Sequence, residues 1–338
     1  MLVIENDNFS KHNPHWKFTL GPDTYETRDT PRRVEVIRQA LEADPAFEFI
    51  KAERFPERAL SRLHPYHDYI KAVSESLDDP SIELYPDLFP GEGARLPKKI
   101  HPLWGGIWCT DAVTPLSMHT YEVARGSAEA AMTGAELLRS GGRREVYALC
   151  RPSGHHAGPR VFGGYCYFNN AASAADLLSR TGRVAVLDLD YHHGNGTQEF
   201  FQERKDVLTC SIHADPDREY PYFWGYAEER GVGQARGTNL NLPLPLGTTD
   251  DRYVEVLDRA IDAIRVYAPD FLVLAAGFDT YAKDPIGGFA LTVEAYPELG
   301  RRLGAVGLPT LICQEGGYNT DVLGQCVHGL LTGFLDGR

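Results

Sequence analysis

The chain contains an Asp-x-His pair, Asp190 and His192, that could hold a metal ion. In an extended segment, residues two apart point the same way, so a carboxylate oxygen and an imidazole nitrogen can reach one ion. A catalytic zinc ion takes three protein ligands and keeps one position open for water. Asp279, at the end of another predicted strand, is the natural third ligand. The alternative is that Asp190 caps a turn and His192 is an ordinary packed histidine.

Two adjacent histidines, His155 and His156, lie in a glycine-flanked turn and could move protons. Consecutive side chains diverge, so one could accept a proton from an attacking water while the other supports the developing charge. Each needs a partner that orients its far ring nitrogen, and Asp188 and Asn195 are the candidates. Taken alone, a His-His pair is also compatible with an incidental occurrence.

A tyrosine and a group of aromatic residues could complete a narrow site. Tyr318 follows two glycines, which let the backbone approach a site closely, and its hydroxyl could donate a hydrogen bond to an oxyanion. Gly164, Tyr165 and Tyr220 could form an aromatic channel. The alternative is that these tyrosines pack at the rim or lie on the surface.

These residues follow short apolar segments that predict buried strands. Continuous hydrophobicity is typical of parallel strands that are covered on both faces. The predicted strands are Leu2–Ile4, Glu145–Cys150, Val184–Leu189, Val207–Ile212, Phe271–Ala276 and Thr310–Cys313. Ionisable side chains follow five of them: His155, Asp190, His213, Asp279 and Tyr318.

Amphipathic segments alternate with these strands and predict helices. They are Pro31–Glu42, Tyr121–Leu138, Ala171–Ser179, Arg252–Tyr267, Val293–Ala305 and Val322–Leu335. The alternation predicts an α/β fold with an open, doubly wound, mostly parallel sheet flanked by helices. In such sheets ligands bind beyond the carboxyl ends of the strands. We expect one domain over residues 1–338, with a Pro- and Gly-rich loop insertion around residues 78–115.

The composition favours an ordinary globular protein. Of the 338 residues, 43% are hydrophobic and the formal net charge is −13, which disfavours nucleic acid and anionic membranes and favours a cationic small molecule. The six cysteines form no CxxC pair, so we expect buried thiols rather than disulfides. We find neither a signal-like N-terminus nor an apolar run of about 18 residues, so a cytoplasmic location is expected.

Six segments, taken in chain order, resemble the zinc-dependent histone deacetylase superfamily. They are RPSGHHAG, GGYCYFNNAA, LDLDYHHGNGTQ, SIH, GFDTYAKDP and EGGY. The details YHHGNG, HADPDREYPYFWGYAEERG and DTYAKDP look most similar to the bacterial acetylpolyamine amidohydrolase branch. The resemblance covers roughly residues 151–318 and implies an arginase/deacetylase-like fold.

The resemblance implies a role for each matching position. It implies that His156 is the general base and later acid, that His155 is its electrostatic partner, and that Tyr318 polarises the substrate carbonyl. Asp188 and Asn195 match the partners of the two histidines, and many relatives have Asp at the second position, so His156 should be less basic here. The implied zinc ligands are Asp190, His192 and Asp279.

Further ions and a substrate tunnel are also implied by the resemblance. A structural potassium ion would lie beside the zinc, at the positions of Asp188, Asp190, His192, Ser211 and Ile212. A second monovalent ion would use Phe201, Arg204 and Val207. The tunnel walls match Gly164, Tyr165 and Tyr220.

The resemblance implies a small cationic acetylated amine as substrate and a homodimer, to which the long loop would contribute. One departure bears on the substrate. The branch carries an acidic residue in that loop, whereas this chain has His101 near that position and Lys98 and Lys99 beside it. An acetyl-lysine or other acyl-amide deacylase is therefore the main alternative. An arginase-like enzyme is disfavoured by Gly194, and an inactive metal-binding protein is the remaining alternative.

Overall fold

The computed structural model describes residues 1–20, 23–86, 88–89 and 102–338. The strands are β1 (Leu2–Glu5), β2 (Lys17–Leu20), β3 (Asp23–Glu26), β4 (Glu48–Lys51), β5 (Glu145–Leu149), β6 (Val184–Asp188), β7 (Val207–Ala214), β8 (Asn239–Leu244), β9 (Phe271–Ala276) and β10 (Thr310–Gln314). The helices are α1 (Arg32–Glu42), α2 (Arg58–Ser61), α3 (His67–Ser76), α4 (Thr120–Arg139), α5 (Asn170–Leu178), α6 (Asn195–Phe201), α7 (Asp250–Tyr267), α8 (Ala295–Gly304) and α9 (Leu323–Asp336).

The described strands form one parallel eight-stranded sheet and a separate antiparallel pair, β2 and β3. The order across the sheet is β4-β1-β5-β10-β9-β6-β7-β8, and every neighbouring pair is parallel. Strands from both ends of the chain therefore lie in the same sheet. The predicted α/β fold with a mostly parallel sheet is confirmed.

Both faces of the sheet are buried, as the apolar strand sequences predict. Along β6, Ala185 and Leu187 belong to one core cluster, and Val184 and Val186 belong to the cluster on the opposite face. This alternation is the period of two of an extended strand. Helices α1, α7, α8 and α9 supply apolar side chains to the first cluster, and α4 and α5 supply them to the second.

The sheet order places four site-bearing strands side by side. The neighbours β5, β10, β9 and β6 are parallel, so their carboxyl ends meet at one edge of the sheet. His155 follows β5, Tyr318 follows β10, Asp279 follows β9 and Asp190 follows β6. Residues far apart in sequence therefore converge at this edge.

Two long connections, the one between β7 and β8 and the predicted insertion around residues 78–115, are described to different extents. The connection between β7 and β8 is described throughout and contains a 3-10 turn at Gly233–Ala235. In the predicted insertion around residues 78–115, a 3-10 turn spans Pro102–Ile107. His101 and the preceding lysines lie outside the described residues.

The state of the cysteines and the hydrophobicity of the helices are also predicted from the sequence. All six cysteines are in the described part of the chain, where each is buried and unpaired, as predicted. Across the described ranges, no helix combines the length and the hydrophobicity that crossing a bilayer requires.

Candidate active site

Asp190, His192 and Asp279 meet at the carboxyl edge of the sheet. Nδ1 of His192 lies 3.2 Å from Oδ1 of Asp190 and 3.0 Å from Oδ2 of Asp279. One potential ligand atom from each residue lies within 4.8 Å of the other two. Backbone groups fix the carboxylates, because Asp190 accepts from the N–H of Gly316 at 2.7 Å and Asp279 accepts from the N–H of Tyr191 at 2.9 Å.

This group fits a divalent cation. Two fully buried carboxylates so close together repel each other, and a bound cation would offset that repulsion. Burial, and then the charge of Asp190, raise the pKa of Asp279 to about 7. Two carboxylate oxygens and one imidazole nitrogen form a donor set that suits zinc and also accepts Fe(II) or Co(II). A Cβ atom on Gly277 would lie 2.1 Å from Oδ2 of Asp190, so only glycine permits this packing.

The two adjacent histidines have different partners. Nδ1 of His155 lies 3.0 Å from Oδ2 of Asp188, whereas Nδ1 of His156 lies 2.8 Å from Oδ1 of Asn195. Both histidines are buried, and their ring centroids are 4.0 Å apart. The structure thus brings together each pair that the sequence predicted.

The different partners give the histidines opposite pKa shifts. Burial would lower the pKa of His155, but the carboxylates of Asp190 and Asp188 outweigh it and raise the pKa to about 10. Burial lowers the pKa of His156, and the positive charges on His155 and His192 lower it further. In the metal-free chain, these shifts favour a protonated His155 and an unprotonated His156 at neutral pH.

A buried glutamate that the sequence analysis did not single out supports this histidine turn. Glu315 accepts hydrogen bonds from the backbone N–H groups of Gly154 at 2.7 Å and of His155 at 3.2 Å. Burial raises its pKa to about 7, although His155 opposes the shift. Glu315 is the first residue of the EGGY segment, and its spacing from other polar residues does not indicate a metal ligand or an acid–base group. Its contacts with the histidine turn are seen only in the folded structure.

Tyr318 follows a glycine whose backbone has a φ of +111°, a value that L side chains rarely adopt. Its ring packs against the buried guanidinium of Arg33, whose Cζ lies 4.5 Å from the ring centroid. Nε of Arg33 also donates to the carbonyl oxygen of Gly317 at 2.6 Å. Burial raises the pKa of the Tyr318 hydroxyl, so the hydroxyl stays protonated and can donate a hydrogen bond.

These groups surround a pocket of about 160 Å³. Its lining residues are Val113, His156, Gly164, Tyr165, His192, Tyr220, Ile286 and Tyr318. The three predicted tunnel residues therefore share one pocket with a predicted metal ligand, a predicted base and the predicted tyrosine. Val113 and Ile286 are additions, and neither belongs to a pattern that the sequence alone would have revealed.

One wall of the pocket is held by the C-terminal end of the predicted loop insertion around residues 78–115. Asp111 accepts from the N–H of Gly164 at 2.6 Å and from the N–H of Val113 at 2.8 Å. Thr114 accepts from the N–H of Tyr165 at 3.0 Å. Tyr165 has a φ of +65°, which is unfavourable for a residue with a side chain, so the bond from Thr114 helps to stabilise this backbone.

The positions expected to hold monovalent ions can also be located. Asp188 pairs in register with Ser211 of β7, and Ile212 is the next residue of that strand. For the second expected ion, Phe201 ends α6 and Val207 begins β7. Between them, Arg204 is held by carboxylates, with Nη1 at 3.0 Å from Asp176 Oδ1.

The prediction that His213 follows the end of its strand is wrong. The residue lies inside β7, which extends to Ala214, rather than after the strand. Its Nδ1 lies 2.8 Å from Oγ of Ser211 and its Nε2 lies 2.9 Å from the carbonyl oxygen of Gly225. His213 is not among the residues that line the pocket.

The chain is similar to known proteins over most of its length. Residues 27–334 match the histone deacetylase domain. Acetylpolyamine amidohydrolase 1 of Pseudomonas aeruginosa is 41% identical over 315 residues, which are 90% of this chain and 91% of the relative. Acetylpolyamine amidohydrolase 2 of the same organism is 37% identical over 343 residues, 99% of this chain and 98% of the relative.

The fold is also similar to a solved structure. The crystal structure of acetylpolyamine aminohydrolase from Burkholderia pseudomallei, from an iodide soak, superimposes with a TM-score of 0.93 at 36% identity, covering 100% of this chain and 99% of that one. The resemblance drawn from the sequence motifs is thus confirmed. The chain belongs to the histone deacetylase family and is a hydrolytic deacetylase.

Proposed function

We propose that this chain is a metal-dependent amidohydrolase that removes acetyl groups from acetylated polyamines or similar small amines. The observation that carries the proposal is the convergence of Asp190, His192 and Asp279 beside His156 and Tyr318 at the same pocket. Zinc held by the first three residues would polarise the acetyl carbonyl and make water more acidic. The other residues would bind the substrate and move protons.

His156 is proposed as the general base. Because Nδ1 faces the amide oxygen of Asn195, this nitrogen carries the proton and Nε2 is left free to accept one. Water adds to the acetyl carbon while one of its protons passes to Nε2. The C–N bond then breaks and the proton passes from Nε2 to the amine nitrogen, which gives acetic acid and the free amine; transfer of the acid's proton to the amine then gives acetate and an ammonium group.

His155 and Tyr318 are proposed to stabilise the negative charge that forms on the carbonyl oxygen. The raised pKa of His155 keeps it cationic near that charge. The protonated hydroxyl of Tyr318 donates a hydrogen bond that becomes stronger as the charge develops. Both groups are held in place before the reaction, so little reorganisation is needed.

The shape of the pocket supports a slender substrate. Tyr165 and Tyr220 line it together with Val113 and Ile286, and these aromatic and aliphatic side chains suit a chain of methylene groups. The formal net charge of −13 favours approach of a cation. The acetylpolyamine class of substrate is taken from the names of the relatives. Lys98 and Lys99 are positively charged and would not bind the distal ammonium group of such a substrate, so no residue is assigned to that group.

A substrate panel tests this proposal. Acetylputrescine, acetylcadaverine, acetylspermidine and acetyl-lysine peptides are compared by kcat/KM, with Asp279→Asn as the inactive control. We expect at least one acetylpolyamine to exceed every peptide. Faster turnover of the peptides would instead favour the acetyl-lysine deacylase, and equal rates for the control variant would refute the proposed metal chemistry.

We also propose that the folded chain binds one or two potassium ions. A structural potassium ion would use Asp188, Ser211 and Ile212 with the two zinc ligands of β6 and its following loop, and a second ion would use the 201–207 segment. We also propose a homodimer and a cytoplasmic location. Replacing K⁺ by Na⁺ in thermal unfolding, and light scattering of the purified chain, test the first three of these points.

A further inference from the structure

Asp284 is a buried aspartate outside the metal-binding group, and it joins two segments that line the pocket. Asp284 is 7% exposed and lies in the loop after β9, five residues beyond Asp279. Its Oδ2 accepts from the backbone N–H of Tyr318 at 2.7 Å and from that of Asn319 at 3.1 Å. Its Oδ1 accepts from the N–H of Ile286 at 3.1 Å.

One carboxylate therefore holds two lining residues from different loops. Ile286 and Tyr318 both line the pocket, whereas Asp284 does not. Hydrogen bonds from N–H groups to a carboxylate are stronger than those between neutral groups. Nδ2 of Asn319 donates to the carbonyl oxygen of Lys283 at 2.8 Å, which adds a second link between the same two loops.

The local backbone explains why Tyr318 needs such an anchor. Two glycines precede it, and Gly317 has the left-handed φ of +111°. Glycines have many accessible conformations, so the chain does not by itself fix where the tyrosine points. Arg33 holds the carbonyl side of this turn through Gly317, and Asp284 holds the N–H side through Tyr318.

We propose that Asp284 is a positioning residue that fixes the hydroxyl of Tyr318 and the side chain of Ile286 in the pocket that they both line. The inference rests on the proposed function of Tyr318 as a hydrogen-bond donor to the reacting carbonyl. Catalysis is sensitive to small displacements, and a shift of about 1 Å can cost roughly 10²-fold in rate. Asp284 would thus affect the rate without touching the substrate.

A double-mutant cycle tests the inference on the metal-loaded enzyme. Asp284→Ala and the milder Asp284→Asn are each made in the native chain and in Tyr318→Phe. We expect Asp284→Ala to lower kcat by roughly 10²-fold in the native chain and to have little effect on kcat when the hydroxyl is already absent. Asp284→Asn keeps one acceptor oxygen and should recover part of the rate. Asp284→Ala should raise KM by a similar factor in both backgrounds, because the position of the Ile286 side chain depends on Asp284 and not on the Tyr318 hydroxyl.

Asp250→Asn is the matched control. Asp250 also joins two segments, through hydrogen bonds from the N–H of Thr292 at 2.8 Å and from its hydroxyl at 2.6 Å, but it does not line the pocket. We expect this variant to keep native kcat and KM. Metal content, circular dichroism and hydrogen exchange are measured for every variant. Exchange in residues 316–320 should become faster wherever Asp284→Ala is present, less so with Asp284→Asn, and should not change in Asp250→Asn.

The possible outcomes separate the inference from the proposal beneath it. If Tyr318→Phe leaves kcat unchanged, the proposed role of the hydroxyl is wrong and the positioning inference is wrong with it. If Tyr318→Phe lowers kcat but Asp284→Ala has the same effect in both backgrounds, only the positioning inference is wrong. Should Asp284→Ala fold poorly, the same comparison is made with Asp284→Asn.

Discussion

Nδ1 of His156 lies 2.8 Å from the neutral amide oxygen of Asn195. The neighbouring His155 instead faces the carboxylate of Asp188 at 3.0 Å. A carboxylate stabilises the cationic form of a histidine, whereas an amide oxygen orients the ring without supplying a full charge. This difference separates a neutral histidine from a charged one within a single turn of the chain.

The first prediction concerns Asn195→Asp. The new carboxylate would raise the pKa of His156, so this base would stay protonated to a higher pH. The acid limb of kcat/KM should therefore move upward, by roughly 1–3 pH units. The measurement is the pH profile of kcat/KM for an acetylated amine.

Asn13→Asp is the matched control for Asn195→Asp. It adds the same charge beside another histidine, since Nδ2 of Asn13 lies 3.4 Å from Nε2 of His15 at an exposed position. This variant should leave the profile where it is. An acid limb that does not move in Asn195→Asp would exclude His156 as the base.

The second prediction concerns Tyr318→Phe, which removes one hydroxyl from the pocket. Loss of one oxyanion donor typically lowers kcat by about 10²–10³-fold. Tyr226→Phe is the control, because this hydroxyl donates to Asp217 at 2.8 Å and Tyr226 is not among the residues that line the pocket. Steady-state kinetics should show the loss in Tyr318→Phe alone, and native kcat in that variant would contradict the proposed role.

The sequence predicts the centre of the sheet better than its edges. The apolar runs of six strands are recognisable because both of their faces are buried. Two strands of the eight-stranded sheet are missed, β4 and β8, and these are its outermost strands; the separate pair β2 and β3 is missed as well. In β4 the exposed Glu48 and Lys51 hide the pattern, and in β8 the run is interrupted by Asn239, Asn241 and Pro243. Proline is tolerated at a sheet edge, where its missing N–H is not needed for pairing.

In the candidate site, too, some residues are predictable from the sequence and others are not. The residues proposed to bind the metal and move protons follow the central strands in short motifs, so their spacing and type indicate them. The residues that hold these groups in place carry no such signal: Arg33 precedes Tyr318 by 285 positions, and Asp111 reaches Gly164 from a different loop. Their roles depend on tertiary contacts, which single-residue patterns do not encode.

The third prediction concerns metal binding. We expect zinc to bind the folded site and not the unfolded chain, so adding it to metal-free protein should raise the unfolding temperature, with a gain of about 2.7 kcal/mol at a free concentration 100 times Kd. In the metal-free chain the pKa of His192 is raised to about 10 and that of Asp279 to about 7, so zinc must displace a proton from each as the pH falls below these values, and its affinity should fall. Calorimetric titration at several pH values measures this.

Asp279→Asn should abolish both the thermal shift and its pH dependence. Asp111→Asn is a suitable comparison, because that carboxylate also borders the pocket but is outside the metal-binding group. If zinc stabilised Asp279→Asn as much as the native chain, the three-residue metal site would have to be abandoned.

The fourth prediction separates steric crowding from backbone strain at Gly164. A Cβ atom there would lie 2.4 Å from Cδ2 of His156, and the residue has a φ of +57°. Gly233 has nearly the same φ, +58°, but a Cβ atom would meet nothing within 4 Å. Gly164→Ala should lower kcat/KM by roughly 10²-fold by displacing His156, whereas Gly233→Ala should only reduce the unfolding temperature. Equal activity in the two variants would contradict this account.

The last prediction concerns acid stability and a histidine remote from the pocket lining. His64 is fully buried, with Nδ1 at 3.2 Å from the carbonyl oxygen of Leu60 and Nε2 accepting from the N–H of Asn169 at 3.0 Å. These two bonds select the neutral ring, and burial lowers the pKa of His64 from 6.5 to about 3.

Below pH 6.5 the unfolded chain binds a proton at His64 that the folded chain does not accept. The free energy of unfolding should therefore fall by up to about 1.4 kcal/mol per pH unit from this group, until the pH reaches about 3. Urea unfolding between pH 7 and pH 4 measures the slope. His64→Phe lowers the absolute stability by losing two hydrogen bonds, but it should also make the slope shallower by that amount. A slope equal to that of the native chain would mean that His64 is protonated in the folded state, which the hydrogen bond from Asn169 does not permit.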